Sequence, residues 1–368
     1  MGKKLRLLVA AGGTGGHLFP AVAVVEELEE MLGADFEAAF IGREDKIEAR
    51  FAGERGYKFY PIKTEGIRKL ISMNTLTLPF RTFSAILHSR KIIKQGGYDC
   101  VLATGAYISY SPGMAASQLK TPLALMESNV NPGKSIKMLA PNADLFITSF
   151  AETANFFDRS VQKKIKCLGN PIRKYIFEAP SRGESRRRFG LEENLPTVLI
   201  FGGSLGARSI NHAVEAALDQ IAEENFQVLW QTGRNYELKR DLPSNVKMVE
   251  FINDMAAAYK ACDLAVCRSG AATVSELAST GAPSLLVPLP SASNNEQEHN
   301  AKVFTGRGAA ELIHDRDLDA ELLPAMRDLI NSPEKLEVMS RAALKLSKPH
   351  AARDAAKSIL RLLGRDGY

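Results

Sequence analysis

The chain lacks any long uncharged apolar run. Its apolar runs, for example Leu7 to Ala11 and Leu285 to Val287, fall far short of the ~20 residues that a membrane-spanning helix needs. The run after Lys3 and Lys4 is also too short for a secretory signal, and it leads into a glycine-rich turn instead of a cleavage site. We therefore expect no membrane span and interpret residues 5–10 as a first, buried strand.

Cysteine is also scarce. Cys100, Cys167, Cys262 and Cys267 are scattered along the chain, without a CxxC pair and without a histidine at metal-ligand spacing. The pattern argues against a disulfide scaffold and against the common zinc sites. We expect a protein of a reduced, cytoplasmic compartment that holds no metal.

Two nucleotide-binding signatures are missing as well. The turn GGTGGH at residues 12–17 is not the G-x-G-x-x-G fingerprint, and no acidic residue ends a clear second strand about 20 residues later. A Walker sequence is not visible either. Nicotinamide binding is therefore disfavoured and we predict no cofactor, which leaves proton transfer and electrostatic stabilisation as the available chemistry.

The net charge of +5 is small for a chain of 368 residues. It favours an anionic partner only weakly, whether a nucleotide, a lipid surface or nucleic acid, and nucleic acid is not among the partners that we predict. The length suits two globular domains of roughly 100 to 200 residues each.

Two segments of the chain begin in the same way. Residues 5–10 lead into GGTGGH and a helix at about 21–32, and residues 196–201 lead into GGSLGA and a helix at about 210–221. Short apolar runs alternate with helical segments after both. This predicts an α/β fold of two Rossmann-like, doubly wound parallel-sheet domains whose ligand sites face one cleft. We expect domains at 1–164 and 165–345, and a terminal helix at 346–368 that packs back on the first domain.

The stretch 267–300 predicts a nucleotide-sugar site in the second domain. A tight turn at 269–270 opens a helix whose free N–H groups and dipole suit a phosphate, with Arg268 and Thr273 beside it. Glu276, one turn along, can accept hydrogen bonds from a ribose diol, and the loop NNEQEHN offers amides to sugar hydroxyls. The alternative is an ordinary βαβ unit whose polar residues face water.

His17 follows the first glycine turn directly. Because the ordinary pKa of histidine is close to neutral, His17 is a candidate base, and the turn itself permits close backbone approach to a diphosphate. The alternative is a histidine that only hydrogen-bonds at the start of a helix.

The segment Gly66 to Gln95 mixes apolar residues with cations. Such a mixture suits the interface of an anionic membrane. The alternative is a core helix whose basic residues face water on its outer side.

Seven motifs, in this order, resemble one family. They are GGTGGHLFPAVAV (12–24), GAYIS (105–109), MESNVNPG (126–133), GNPIR (169–173), GGSLGA (202–207), FINDMAAAY (251–259) and CRSGAATVSEL with the later NNEQEHNA. The chain is similar, from residue 5 to about 305, to the bacterial lipid-linked peptidoglycan transferases of glycosyltransferase family 28. The resemblance implies the GT-B fold and transfer of N-acetylglucosamine from UDP-N-acetylglucosamine to the muramoyl C4 hydroxyl of undecaprenyl-diphospho-muramoyl-pentapeptide, which converts lipid I to lipid II.

The resemblance also implies roles for single residues. His17 is the first candidate for the catalytic base, with Glu127 as a second base or an orienting partner. The acceptor-binding residues would be His17, Tyr107, Glu127 and Asn129. The donor-binding residues would be Thr14, Gly15, Gly16, Arg173, Ser204, Ile252, Arg268, Ala272, Thr273, Glu276 and Gln297.

The implied partners are UDP-N-acetylglucosamine, undecaprenyl-linked lipid I, other cell-wall synthesis proteins and an anionic membrane surface. Residues Gly66 to Gln95 would contact that surface at the cytoplasmic face of the bacterial membrane, as a peripheral protein with a part in cell shape and division. The chain departs from the family pattern HEQN with Met126 and Ser128, and from GGSQGA with Leu205.

Three other functions fit parts of the sequence. A related GT-B transferase could use another lipid acceptor, such as diacylglycerol. A nucleotide-sugar epimerase shares the architecture and the donor but needs no lipid-binding segment. A degenerate transferase could act as a membrane scaffold, although intact His17, Glu276 and Gln297 argue against decay.

Overall fold

A computed structural model describes residues 4–63, 73–203 and 205–365, with residues 73–78 described by their backbone alone. The chain forms two compact units. One comprises the residues up to Arg173 and those from Pro349 onwards, and the other comprises Lys174–Lys348. Each unit is built on its own parallel sheet.

The first sheet has seven strands in the order β3-β2-β1-β4-β5-β6-β7. The strands are β1 (Leu5–Ala10), β2 (Phe36–Gly42), β3 (Lys58–Pro61), β4 (Cys100–Ala103), β5 (Leu123–Glu127), β6 (Leu145–Thr148) and β7 (Ile165–Cys167). All neighbouring pairs are parallel. The central strands are buried on both faces, which explains their continuous apolar sequences.

The second sheet has six parallel strands in the order β10-β9-β8-β11-β12-β13. The strands are β8 (Thr197–Phe201), β9 (Gln227–Gln231), β10 (Val246–Val249), β11 (Leu264–Cys267), β12 (Ser284–Leu286) and β13 (Ala310–Leu312). In both sheets the strand order reverses beside a central strand, β1 in one and β8 in the other. A glycine turn follows each of these strands, at the position where open α/β sheets bind ligands.

The helices of the first unit connect its strands. They are α1 (Gly15–Leu32), α2 (Ile47–Glu54), α3 (Met73–Gly96), α4 (Tyr110–Leu119), α5 (Lys134–Leu139) and α6 (Arg159–Gln162). Among the described residues, no helix is both long and apolar enough to cross a membrane.

The helices of the second unit are α7 (Arg182–Arg188), α8 (Arg208–Ala216), α9 (Leu218–Ile221), α10 (Met255–Ala261), α11 (Ala271–Thr280), α12 (Glu296–Thr305), α13 (Leu318–Ile330) and α14 (Pro333–Leu346). The last helix, α15 (Ala351–Leu362), belongs to the first unit. It packs on α1, and its residues Ala355, Ala356, Ile359 and Leu360 lie in the core beneath the first sheet.

The predicted fold class, two Rossmann-like parallel-sheet domains, is confirmed. The units divide differently from the expected boundary after residue 164, because β7 pairs with β6 and so continues the first sheet. Both β7 and β13 are three-residue edge strands that were not predicted, since such short segments carry little apolar pattern.

Candidate functional site

The first glycine turn places His17 in the first turn of a helix. Helix α1 begins at Gly15 rather than near residue 21, and the Thr14 carbonyl accepts hydrogen bonds from the backbone N–H groups of His17 and Leu18, both at 3.2 Å. The paired glycines and Pro20 lower the helix propensity of this stretch, which explains why the sequence predicted a later start.

The hydrogen bonds of His17 fix its tautomer. Its Nδ1 lies 2.9 Å from the carbonyl oxygen of Thr104, and the Thr104 hydroxyl donates to the His17 carbonyl at 2.8 Å. Because a carbonyl oxygen can only accept, Nδ1 carries the hydrogen and Nε2 of the neutral ring carries the lone pair. Burial lowers the pKa of His17, and the bond to Thr104 opposes that shift only in part. The His17 ring is therefore neutral at physiological pH.

A buried carboxylate that the sequence analysis missed holds this turn. Glu48, on α2, has no exposed surface, and it accepts hydrogen bonds from the backbone N–H of Gly13 at 3.0 Å and of Arg43 at 3.1 Å. A methyl group on Gly12 would overlap the Glu48 carboxyl, and one on Gly42 would approach its Cγ to 2.6 Å. The glycine at position 12 thus makes room for Glu48 rather than for a diphosphate.

The loop that carries Tyr107 lies against the same turn. Ser109 donates from Oγ to the Ala10 carbonyl at 2.7 Å and also to the Gly105 carbonyl. A methyl group on Gly105 would come within 3.3 Å of His17 Cε1. The structure therefore brings the predicted acceptor residue Tyr107 into the same region of the first unit as His17.

Glu127 ends β5 and organises the loop after it. Its carboxylate is buried; Oε1 accepts from the backbone N–H of Asn129 at 2.8 Å, and Oε2 accepts from the backbone N–H of Gly133 at 2.9 Å. These bonds fix the loop that presents Asn129. The geometry thus favours the orienting role of Glu127 over the role of base.

Two departures from the family pattern have structural explanations. Met126 is buried in the core of the first unit, so its side chain belongs to the packing of β5. Ser128 donates from Oγ to Asn170 Oδ1 at 3.0 Å and ties the loop after β5 to the GNPIR segment.

Arg173 lies in the first unit, although the sequence analysis assigned it to the second domain. Its guanidinium carbon lies 5.2 Å from the centroid of the Phe19 ring, in the stacked position typical of a cation–π contact. A methyl group on Gly15 would come within 2.9 Å of the same ring. Arg173 is therefore placed beside the first turns of α1.

The second glycine turn is held by different contacts from the first. Gly203 and Gly206 have φ values of +95° and +75°, and the Gly206 N–H donates to the Gly203 carbonyl at 3.0 Å. A methyl group on Gly206 would overlap the Thr232 carbonyl. Leu205, where the family pattern has glutamine, is 89% exposed. The predicted phosphate ligand Ser204 lies outside the described residues.

Gln231, at the end of β9, connects this turn to the segment of Ile252. Its buried side chain donates from Nε2 to the Gly203 carbonyl at 3.0 Å and accepts from the Ile252 N–H at Oε1 at 2.8 Å. Gln231 could not be predicted as a site residue, because only the strand order brings it close to Gly203 and Ile252.

Helix α11 has the predicted open N-terminus. Gly270 precedes it without a side-chain cap, and Ala272 and Thr273 are partly exposed in its first turn. One turn further, Glu276 accepts a hydrogen bond at Oε2 from the Tyr259 hydroxyl at 2.9 Å. The N–H groups, the Thr273 hydroxyl and the Glu276 carboxylate thus follow one another along one helix, as the spacing predicted.

The side chain of Arg268 is held by contacts within the protein. Its guanidinium is buried, donates to the Val287 carbonyl at 3.1 Å and lies 2.5 Å from Asp315 Oδ1. It also donates to Ser209 Oγ at 2.7 Å. These contacts favour a role in holding the chain after β12 over the expected contact with a phosphate.

The prediction of a polar loop at 294–300 is wrong in part. Asn294 and Asn295 adopt left-handed φ values of 53° and 52°, and helix α12 begins directly after them. Acidic residues in its first turn complement the helix dipole, which favours a helix here. Gln297 therefore lies in a helical first turn, where its carbonyl accepts from Ser269 Oγ at 2.8 Å and its Oε1 accepts from the Leu289 N–H at 3.0 Å.

In the part of the chain that the structure describes, no cluster of three or more His, Cys, Asp or Glu residues is placed to hold a metal ion.

Comparison with known proteins identifies the family. The N-terminal domain model of glycosyltransferase family 28 matches residues 7–147, and its C-terminal domain model matches residues 197–359. The chain belongs to glycosyltransferase family 28. Each of the two family 28 domains thus contains one of the two glycine turns.

Relatives in family 28 match nearly the whole chain. The UDP-N-acetylglucosamine--N-acetylmuramyl-(pentapeptide) pyrophosphoryl-undecaprenol N-acetylglucosamine transferase of Chlorobium phaeobacteroides is 38% identical, covering 97% of this chain and 99% of its own. The transferase of the same name from Salinibacter ruber is 35% identical, covering 98% of this chain and 97% of its own. The crystal structure of Acinetobacter baumannii MurG is similar, with a TM-score of 0.77 and 27% identity, covering 97% of this chain and 99% of that one.

Proposed function

We propose that this glycosyltransferase moves N-acetylglucosamine from UDP-N-acetylglucosamine to the muramoyl C4 hydroxyl of lipid I, which yields lipid II for peptidoglycan synthesis. The relatives that match nearly the full chain are named as N-acetylglucosamine transferases that act on UDP-N-acetylglucosamine and N-acetylmuramyl-(pentapeptide) pyrophosphoryl-undecaprenol, which supports the proposal. The structural observation that carries the proposal is the hydrogen bond from His17 Nδ1 to the Thr104 carbonyl. This bond leaves the lone pair of the neutral ring on Nε2, directly after the first glycine turn.

The first unit would bind the acceptor and supply the base. The acceptor hydroxyl gives its proton to Nε2 of His17 as its oxygen attacks the anomeric carbon from the face opposite UDP. The new glycosidic bond forms as the bond between the anomeric carbon and the diphosphate oxygen breaks, so the configuration inverts. Tyr107 and Asn129 would position the acceptor sugar, and Glu127 would hold the loop that carries Asn129.

The second unit would bind most of the donor. The open N-terminus of α11, with Thr273, Ala272 and Ser204, would stabilise the negative charge that grows on the leaving diphosphate. Glu276 would accept hydrogen bonds from the ribose hydroxyls, and Ile252 would contact the uracil ring. Gln297 would bind the transferred sugar.

The first unit would contribute further donor contacts at Thr14, Gly15, Gly16 and Arg173. The exposed position of Thr14 and Gly16 at the start of α1 supports their part in the proposal. The stacking of Arg173 on Phe19 supports a cation beside the same turns of α1.

Helix α3 would contact an anionic membrane surface at the cytoplasmic face of the cell membrane, with the protein bound peripherally. One side of the helix, including Ile86, Ile92 and Ile93, is buried in the unit. The other exposes Phe80 by 79% and Phe83 by 62% of their surface, next to exposed cations such as Arg81, Lys91 and Lys94. Exposed phenylalanines beside cations are typical of a membrane-binding surface. Residues 66–72 of the predicted segment lie outside the described residues.

Such a location would put the protein among the other proteins of cell-wall synthesis and so connect it with cell shape and division. Contact with those proteins is part of the proposal.

Turnover of labelled UDP-N-acetylglucosamine with a synthetic lipid I analogue, run with and without EDTA, tests the proposed function. We expect lipid II in both reactions, because the proposed stabilisation of the diphosphate uses protein groups alone. Absence of lipid II, with a diacylglycerol acceptor glycosylated instead or free N-acetylmannosamine released, would overturn the proposal. Inhibition by EDTA that Mg²⁺ reverses would overturn the metal-independent part.

A further inference from the structure

We propose that Tyr259 is a positioning residue that acts through Glu276 and makes the site selective for ribonucleotides over deoxyribonucleotides. The inference rests on the proposed function, because it assumes that Glu276 faces the ribose of a nucleotide donor.

Tyr259 lies between two parts of the proposed donor site. It is in α10, and its ring packs edge-on against Phe201, the last residue of β8, with the ring centroids 6.0 Å apart. Its hydroxyl donates to Glu276 Oε2 at 2.9 Å, and both side chains are buried. The residue therefore connects the strand before the second glycine turn to the predicted ribose ligand.

The hydroxyl contributes a contact that the ring alone does not. A phenylalanine would keep the packing against Phe201 but would remove the donor to the carboxylate. The hydrogen bond from this phenol to a carboxylate oxygen restricts the rotation of the carboxylate. Burial raises the pKa of Tyr259 well above its ordinary value, so the phenol stays protonated and remains a donor.

Orientation matters because a ribose diol presents two hydroxyls at a fixed separation. A carboxylate accepts both well only when its plane is set, and a side chain free to rotate loses part of that interaction. The 2′-hydroxyl exists only in a ribonucleotide. A carboxylate that Tyr259 holds in place therefore discriminates by the bond that a deoxyribonucleotide cannot make.

Calorimetric titration with UDP and with 2′-deoxy-UDP tests the inference without an acceptor. In the unmodified protein we expect UDP to bind about 10- to 100-fold more tightly, as the loss of a hydrogen bond that leaves a buried acceptor without its partner implies. In Tyr259→Phe the preference should shrink by about 3- to 10-fold, because UDP loses more affinity than 2′-deoxy-UDP, which makes only the 3′-hydroxyl bond to the carboxylate. Glu276→Gln is the matched variant and should reduce the preference further.

Three outcomes would overturn the inference. One is equal binding of the two nucleotides by the unmodified protein, because Glu276 then does not read the 2′-hydroxyl. Another is a Tyr259→Phe variant that keeps the full preference. The third is an equal loss of affinity for both nucleotides, which would make Tyr259 a packing residue. The proposed function fails separately, through absence of lipid II in the turnover assay.

Discussion

The two glycine turns of this molecule begin alike in sequence and are held by opposite means. The first, at residues 12–17, is held by the buried carboxylate of Glu48, which accepts from the Gly13 N–H. The second, at residues 202–207, is held by the neutral amide of Gln231, which donates to the Gly203 carbonyl. A glycine pattern therefore shows where a side chain approaches the backbone closely, but it does not show whether that side chain is a carboxylate or a neutral amide.

The difference implies a division of roles. Glu48 fills the space beside Gly12 and accepts from the Gly13 N–H, so this part of the first turn is not open to a diphosphate. The proposed donor contacts of the first unit therefore begin at Thr14, and the turn also carries the proposed base His17. The second unit offers the open N-terminus of α11 after the neighbouring strand, which suits the diphosphate.

Substitution of the proposed base, His17, should have the largest effect. His17→Ala should lower kcat by about 100- to 10,000-fold, because a positioned general base contributes a factor of that size. Calorimetry should find UDP bound as before, because the substitution leaves the proposed donor contacts at Thr14, Gly15 and Gly16 in place. Turnover close to that of the unmodified enzyme would end the assignment of His17 as base.

Substitution of Gln231 should impair the donor side alone. Gln231→Leu loses the hydrogen bonds to Gly203 and Ile252, and we expect the KM for UDP-N-acetylglucosamine to rise about 5- to 30-fold with a smaller change in kcat. Gln227→Leu is the matched control. Gln227 lies on the same strand and is buried, but its side chain bonds to the Glu192 carbonyl at the opposite end of β9. A higher KM in both variants would show that the effect is one of general stability.

The pH dependence should report the environment of the first turn. Because burial lowers the pKa of His17, the acid limb of kcat/KM should lie below pH 6.5, and the base should remain active in mildly acidic solution. Because of the same shift, the folded state binds the His17 proton at a lower pH than the unfolded chain does. Its contribution to stability is therefore complete above pH 6.5 and is lost as the pH falls from there through the lower folded pKa. An acid limb above pH 6.5 would contradict this assignment.

A small gain in stability is expected next to the first turn. Ala106 has φ of 53° and ψ of 172°, a conformation that favours glycine and costs alanine of order 1–3 kcal/mol. Ala106→Gly should stabilise the protein by about 1 kcal/mol, after the greater freedom of glycine in the unfolded chain is deducted. Denaturant unfolding measures the change. A loss of stability would show that the Ala106 methyl group contributes more by packing than its backbone strain costs.

The sequence predicted the frame of the molecule and the local geometry of α11 well. The alternation of apolar runs gave the parallel sheets, and the spacing from Gly270 to Glu276 placed a helix N-terminus and a carboxylate one turn apart, as observed. These features depend on residues close together in the chain. The roles of the ligands rest on the family resemblance and remain proposals.

The residues that hold the two glycine turns could not be predicted in the same way. Glu48 and Gly13 are 35 positions apart, and Gln231 meets Gly203 from a different strand, so only the folded topology joins them. Arg268 illustrates the opposite case, since its position beside the turn suggested a phosphate ligand, but Asp315 from a distant segment pairs with it. Contacts between remote segments thus decide which polar residues are available to a ligand.

The most direct test of the division between the turns is the affinity for UDP of two matched glycine variants, Gly12→Ala and Gly206→Ala. The added methyl group overlaps Glu48 in the first and the Thr232 carbonyl in the second. In preparations that unfold cooperatively, Gly12→Ala should keep its UDP affinity within about 3-fold while kcat falls, and Gly206→Ala should lose about 10-fold or more in UDP affinity. A loss of UDP affinity in Gly12→Ala as large as that in Gly206→Ala would contradict the account.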